Sequence, residues 1–481
     1  MDVQLLIAVP LLASLASALV RKDVRVLCGI AMGASVIEFL AMLSIAGTVI
    51  REGGYRMTDY FAIDALGCIL VMLLALVGGS ATWYSARYLS HEVEKNIIGP
   101  SRVRQYFILL HLFLFAMFFA AVTTSPILTW TAIETTTLST AFLISFYNKP
   151  SAIEAAWKYL IINSVGLLCG FFGTLLFFYP TVHAGNQGFI TWQNLMENAS
   201  GFDPIILKMA FVFVLIGYGT KVGLAPMHTW LPDAHSKAPA PISSLLSGVL
   251  LNVAFVAILR FKSVTDAAIG PLFTRELLVF LGIASIVIAA FIMFLQKNYK
   301  RLFAYSSIEH MGIITLGFGF GGTGAFAGLL HMIYHSLAKS ALFLTAGNIL
   351  LKYHSTKMGK VRGMLRALPV TSVLFLIGLL AIMGLPPFGM FLTEFTILSA
   401  GMRDYPAATV MALLALALVV AGVLKHIVGM VFGTQEPALP SGELGRGTVI
   451  PIIVLLGCLA ILSVFIPESL SALLHAATMN H

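Results

Sequence analysis

Fourteen stretches of about 20 mostly apolar residues follow one another along this chain, and that repetition leaves little freedom of fold. They cover residues 3–20, 26–50, 62–86, 106–124, 126–147, 156–179, 204–225, 238–259, 277–296, 303–320, 323–351, 369–398, 406–432 and 448–467. Hydrocarbon offers the backbone no water, so such stretches cross it as helices whose N–H and C=O groups pair internally. Only 10% of the 481 residues are charged, against about 25% in soluble domains. The expected fold class is an all-α polytopic membrane protein with about 14 transmembrane helices.

Lysine and arginine set the orientation, because they accumulate in cytoplasmic loops. With the N-terminus outside, the cytoplasmic loops hold nineteen and the outer loops seven, and Lys221, Lys339 and Lys425 remain inside spans. An even number of spans puts both termini on the outer side. The apolar run Val3–Val20 lacks a basic n-region and is followed by Arg21, Lys22 and Arg25, so it reads as an uncleaved first helix, not a signal peptide. The basic residues sit in short loops and give no nucleic-acid signature. Cys28, Cys68, Cys169 and Cys458 all lie in apolar runs without a CxxC spacing, which points to neither a disulfide nor a metal site. The loop Pro180–Asp203 is polar and is expected to pack over the helices.

A faint repeat runs through the chain. Trp130-Thr-Ala-Ile-Glu134 in the fifth span echoes Tyr305-Ser-Ser-Ile-Glu309 in the tenth. The seventh span is broken at Pro226, and five spans later Gly384-Leu-Pro386-Pro387 breaks the twelfth. Five is odd, so a second copy of a five-span unit is inverted, and helices broken at matching positions of two halves mark ion sites in transporters. The expected organisation is three N-terminal helices (1–105), a first five-helix repeat (106–259), a second inverted repeat (277–432) and a C-terminal helix (448–481).

Charges inside spans are rare and tend to be functional. Glu134 lies mid-span among threonines. Lys221 lies deep in its span, just before Pro226, Pro232, Pro239 and Pro241. Desolvation disfavours a lysine's charged form and a nearby carboxylate restores it, so a Glu–Lys pair of variable separation is a proton switch. Salt bridging and snorkelling are the plain alternatives. His331, His335 and Lys339 stand at i, i+4 and i+8, on one helix face, a spacing that suits a proton relay or simple packing. HxxxH is also a metal spacing, but no acidic third ligand lies nearby in sequence, so no metal is assigned. Glu394 follows the second break. Lys158, His228, Asp233, His235, Asn252 and Lys425 are secondary candidates: Asp233 and His235 either cap the next helix or feed protons inward, and Lys425 extends the charge row past Glu394. Glu309 and His310 lie near the cytoplasmic end of their span, where a solvated cap and a functional charge are both open readings. The sequence holds no Walker A motif, no strand-bound GxGxxG and no cysteine set for an iron–sulfur cluster, so neither a cofactor nor a catalytic residue is assigned.

The run Lys221-…-Pro226-x-His228-x-Trp230-Leu-Pro-Asp233-Ala-His235-…-Ala238-Pro239 resembles the antiporter-like subunits of respiratory complex I, of Mrp-type cation/proton antiporters and of membrane-bound NiFe hydrogenases. The likeness covers roughly residues 60–430, and HSKAPAPISSLLSGVLLNVAF looks most like the F-type subunit of hydrogenase-4 and formate hydrogenlyase. The resemblance implies fourteen helices with paired inverted repeats. It implies that Glu134, Lys221, the His331/His335/Lys339 row and Glu394 carry protons through the membrane. Asn252 departs from the pattern, standing where a lysine or histidine is expected. The implied function is a proton-translocating subunit of a redox-driven complex of hydrogenase or NADH:quinone oxidoreductase type, itself without a redox centre. Its implied partners are other membrane and peripheral subunits, the lipid bilayer and H+, with Na+ left open, in a prokaryotic plasma membrane. A stand-alone Na+/H+ antiporter subunit and a non-pumping hydrogenase scaffold are the rivals.

Overall fold

The computed structural model describes residues 2–20, 23–183, 188–434 and 439–479. Arg21 and Lys22, counted above for orientation, lie outside the described residues, as does part of the loop 180–203.

The N-terminal helices are α1 (Asp2–Leu19), α2 (Val24–Glu52) and α3 (Ala65–Glu94). A small antiparallel ladder of β1 (Tyr55–Arg56) and β2 (Ala62–Ile63) closes the join before α3. Next come α4 (Pro100–Val122), α5 (Pro126–Ile144), α6 (Pro150–His183), the short α7 (Trp192–Glu197) and α8 (Pro204–Val222). After a break stand α9 (Trp230–Lys237), α10 (Ala240–Leu245) and α11 (Leu251–Ile269). A π-helical turn, Leu246–Leu250, joins α10 to α11. The second half runs through α12 (Leu272–Leu295), α13 (Tyr299–Phe320), α14 (Thr323–Tyr353), α15 (Met364–Ala367), α16 (Pro369–Ile382), α17 (Gly389–Asp404) and α18 (Pro406–Phe432). The chain closes with α19 (Arg446–Val464) and α20 (Glu468–Thr478).

Local chemistry sets the boundaries. Asp23, Asp64, Asp203 and Asn298 cap α2, α3, α8 and α13 by accepting from backbone N–H groups of the first turn. Proline opens α4, α5, α16 and α18, where its missing N–H costs nothing. Among the described residues eleven helices are long and apolar enough to cross a bilayer. The long helices α13 and α14 carry ionisable residues inside their apolar runs, and α16 and α17 are two short pieces of one interrupted stretch. The outward faces carry Leu40, Phe142, Trp157, Leu168, Ile205, Phe280, Leu414 and Ile461, all exposed, as a lipid-facing surface requires. The stretch Ala240–Leu259 is buried throughout, and the end of α11 beyond it is only partly covered.

The ion pairs join loops that the charge count placed on the same side. Arg260 pairs with Asp64, and Asp233 with Arg301 and Lys158. The join after α6 lies over the bundle, with Trp192 of α7 against Phe261 at a centroid distance of 4.8 Å. Two features differ from expectation. Lys300, counted among loop charges, is buried and donates to the Ala238 carbonyl at 2.6 Å. Beyond the last span the chain forms a further helix, α20, whose His475 ring lies 4.6 Å from Phe326 at the start of α14.

Helices α6 and α8 meet through glycine. A Cβ on Gly217 would fall on the backbone N of Gly170, too close to be relieved by a side-chain shift. Gly217→Val is therefore expected to destabilise the protein by about 1–3 kcal/mol and to lower its Tm in detergent. Gly29→Ala on α2, which meets nothing within 4 Å, should leave Tm near wild type. Equal Tm for the two variants would contradict the close packing of α6 on α8.

Candidate functional site

A helix that stops inside the bundle leaves carbonyl and amide groups without intrahelical partners. At the first break each has a local answer. Gly223, at positive φ, turns the chain and its N–H bonds back to Gly219 and Thr220. Trp230 Nε1 donates to the Thr220 carbonyl at 2.8 Å, and the Ala225 N–H donates to Ser285 Oγ at 2.9 Å. These contacts hold Lys221 in the last turn of α8, fully buried.

Lys221 Nζ donates to Thr137 Oγ1 on α5 at 2.9 Å and to Tyr159 OH on α6 at 2.7 Å. The Tyr159 hydroxyl also shares a 2.5 Å contact with Thr140. Glu134 lies one turn from Thr137, accepts from Ser164 Oγ at 2.7 Å, and leaves Oε2 buried without a hydrogen-bond partner among the described residues. Glu134 and Lys221 interact electrostatically and not as a direct ion pair. Hydroxyl groups therefore hold a lysine in electrostatic range of a carboxylate.

The second polar centre lies between α13, α14 and the α16–α17 break. His331, His335 and Lys339 are all buried on α14. Lys339 Nζ donates to the Phe303 carbonyl at 3.2 Å and lies in electrostatic range of Glu309. His335 has no hydrogen-bond partner among the described residues, and its ring lies 5.5 Å from that of His310. His331 Nε2 lies 3.0 Å from His310 Nδ1, and His331 Nδ1 lies 2.8 Å from Thr393 Oγ1 on α17. Glu394, half-buried, rests its carboxylate over Gly384, where any side chain would collide with it. Gly384 is at positive φ, so glycine there serves both the turn and the carboxylate.

Asn252, on α11, is buried against α14. Its amide donates to the Gly248 carbonyl at 2.9 Å and to Ser336 Oγ at 2.7 Å. The preceding π-helical turn brings Ser247 to 2.7 Å from Ser307 on α13. Hydroxyls and an amide thus occupy the position where a titratable group was expected.

The remaining candidates fall around this row. Asp233 sits inside α9 and does not cap α10. It pairs with Arg301 at 2.6 Å and with Lys158 at 3.6 Å, and Lys158 in turn pairs with Glu154 at 2.6 Å. The ring of buried His235 stacks on Phe343 at 4.6 Å. His228 lies near Tyr305, with 6.2 Å between ring centroids. Lys425 is exposed on α18, with its Nζ over the Phe294 ring at 4.2 Å.

Glu309 and His310, expected near the cytoplasmic end of their span, are buried in the middle of α13. The signal that could have found Glu309 was the repeat itself, which matches it to Glu134. Tyr159, Ser164 and Thr393 gave no signal, because a lone hydroxyl in a span is ordinary. The fold also supplies the acidic neighbour that the sequence lacked: donor atoms of His310, His331 and Glu394 lie within 4.8 Å of one another. Both ring nitrogens of His310 and of His331 already face hydrogen-bond partners, which favours a proton wire there over a metal centre.

Residues 123–420 match the family described as the transmembrane region of NADH:quinone oxidoreductase and Mrp antiporter proteins. The chain is 41% identical over 379 residues to the hydrogenase-4 component F homolog of Methylacidiphilum infernorum (isolate V4), across 78% of this chain and 79% of that protein. Its fold matches a chain of the archaeal membrane-bound sulfane sulfur reductase with a TM-score of 0.88 at 21% identity, over 99% of this chain and 97% of that one. It also matches a chain of the Mrp complex from Dietzia sp. DQ12-45-1b with a TM-score of 0.84 at 18% identity, over 100% and 97%. The chain belongs to the NADH:quinone oxidoreductase/Mrp antiporter transmembrane family.

Proposed function

We propose that this chain is the proton-translocating, antiporter-like membrane subunit of a redox-driven complex of hydrogenase or NADH:quinone oxidoreductase type. The observation that carries the reading is Lys221. It is fully buried at a broken helix end, held by two hydroxyls, with Glu134 in electrostatic range. A charge at a bilayer centre costs at least about 2.5–3.5 kcal/mol, so a lysine kept there without a direct ion pair needs a use.

The mechanism is electrostatic. A unit charge at about 8 Å is worth roughly 2 kcal/mol at an effective dielectric near 20, and about 1.4 kcal/mol is a tenfold change in protonation. Electron transfer elsewhere in the complex shifts charge at one end of the row. Glu134 and Lys221 respond first, the hydroxyls and amide around Asn252 pass the change on through hydrogen bonds, and His331, His335 and Lys339 carry it to Glu394. The partners are the other membrane and peripheral subunits of the complex, and the transported ion is H+.

In this reading α13, α14 and the α16–α17 pair cross the membrane beside the eleven long apolar helices, giving fourteen spans. Helices α4 to α11 and α12 to α18 form two inverted five-span units. The plasma membrane of a prokaryote is the location, with both termini outside. The fold shared with an Mrp chain supports a second reading, a stand-alone cation/proton antiporter subunit, which would work without electron transfer.

The orientation is open to direct labelling. In intact cells lacking native cysteines in this chain, Asp404→Cys should react with an impermeant thiol reagent and Lys95→Cys only after the membrane is opened; the reverse pattern would invert the topology. The function is tested in inverted vesicles holding the whole complex. Lys221→Ala should retain electron transfer while lowering proton uptake at least tenfold. Tyr159→Phe, which removes one acceptor from Nζ, should lower uptake several-fold. Wild-type uptake in Lys221→Ala would favour a scaffold role, and uptake without any electron donor would favour the antiporter.

A further inference from the structure

The hydrogen bonds around His310 have a direction. The Ile382 carbonyl, 3.0 Å from His310 Nε2, can only accept, so Nε2 carries the hydrogen. Nδ1 of a neutral ring is then an acceptor and takes the hydrogen on His331 Nε2. That leaves His331 Nδ1 to accept from the Thr393 hydroxyl. On its other side, His310 Nε2 also lies 3.2 Å from Glu309 Oε2. Four residues on three helices thus form one chain of contacts, and the ionisable groups that face it are His335, Lys339 and Glu394.

We propose that Thr393–His331–His310–Glu309 is a polarised proton wire, and that Glu309 with Lys339 forms a second Glu–Lys switch matching Glu134 with Lys221. The inference rests on the proton-translocating reading above. A proton arriving at His331 Nδ1 releases the hydrogen on His331 Nε2 to His310 Nδ1. His310 Nε2 then gives its hydrogen to Glu309 Oε2. One proton enters, one is delivered, and both rings end neutral with the hydrogen on the opposite nitrogen. The Thr393 hydroxyl turns to the Met390 carbonyl, 2.9 Å away, and frees Nδ1 to receive the incoming proton.

The Ile382 carbonyl biases the wire. It accepts from N–H before transfer and faces a bare ring nitrogen afterwards, so the Nε2–H tautomer of His310 is the favoured resting form. Ile382 is the last residue of α16 and Thr393 lies in the second turn of α17, so the wire fastens to both sides of the break. Glu309 matches Glu134 in the repeat and sits in electrostatic range of Lys339, as Glu134 does of Lys221. A carboxylate in the second half offsets the absence of a titratable group at Asn252.

The test uses inverted vesicles holding the complete complex, driven by its electron donor. Glu309→Gln, which cannot accept a proton, should lower proton uptake at least tenfold, and Glu309→Asp should restore at least half. Thr393→Val keeps the side-chain volume but breaks the wire at its start, and should lower uptake at least fivefold, with Thr393→Ser restoring it. If Glu309→Gln and Thr393→Val both pump at the wild-type rate while Lys221→Ala does not, the wire is wrong and the pump reading stands. If Lys221→Ala also pumps normally, the pump reading fails with it. Loss in Thr393→Ser equal to that in Thr393→Val would mark Thr393 as packing and overturn its place in the wire.

Discussion

Everything in this molecule follows from a helix that ends where there is no water. The last turn of α8 exposes backbone groups inside the bundle, and each must find a partner there or cost several kcal/mol. Trp230, Ser285 and the turn at Gly223 supply those partners, two of them from the break itself and one from the neighbouring helix α12. The same arrangement that satisfies the backbone presents Lys221 to α5 and α6. The second break repeats the solution with different residues. There the Gly389 N–H donates to Ser463 Oγ at 2.9 Å, and His310 donates to the Ile382 carbonyl. Structure and chemistry share the same atoms, so neither break can be repaired with ordinary helix without removing the site.

The buried stretch Ala240–Leu259 carries a polar seam. A π-helical turn widens the helix at Leu246–Leu250, as such turns often do at functional positions. Ser247 and Asn252 project from this region to Ser307 and Ser336. An amide neither takes up nor releases a proton near neutral pH, so this seam holds hydrogen bonds and no titratable group at Asn252. In the proposed mechanism charge storage falls to the two Glu–Lys sets, Glu134 with Lys221 and Glu309 with Lys339.

Much of this was legible in the sequence, where the informative signals are local. Apolar run length gives the helical membrane fold, with eleven helices among the described residues long and apolar enough to cross, the prolines after Lys221 give the first break, and the i, i+4, i+8 spacing gives the α14 face. What failed to read is what depends on pairing distant segments. Glu309 looked like a span end because its apolar run begins only a few residues before it, whereas α13 starts at Tyr299 and is buried at every residue but Arg301. Lys300 looked like a loop charge because nothing local says that Ala238 offers it a carbonyl. Asp233 looked like a cap because proline surrounds it, but Arg301 holds it from another helix. Lys425 looked central from its depth in a span, and only the rotation of α18 turns it to the outer surface. The eleven-residue helix α20 follows a Phe-Ile-Pro stretch that read as the end of the last span.

The central claim is that a buried carboxylate beside Lys221 changes its protonation when the complex turns over. Infrared difference spectroscopy of the complete complex, triggered by its electron donor, reads that directly. The account predicts a carboxyl C=O band that appears or vanishes with turnover and is missing in Glu134→Gln. Proton transport by the wild-type complex with no such carboxyl signal would contradict it.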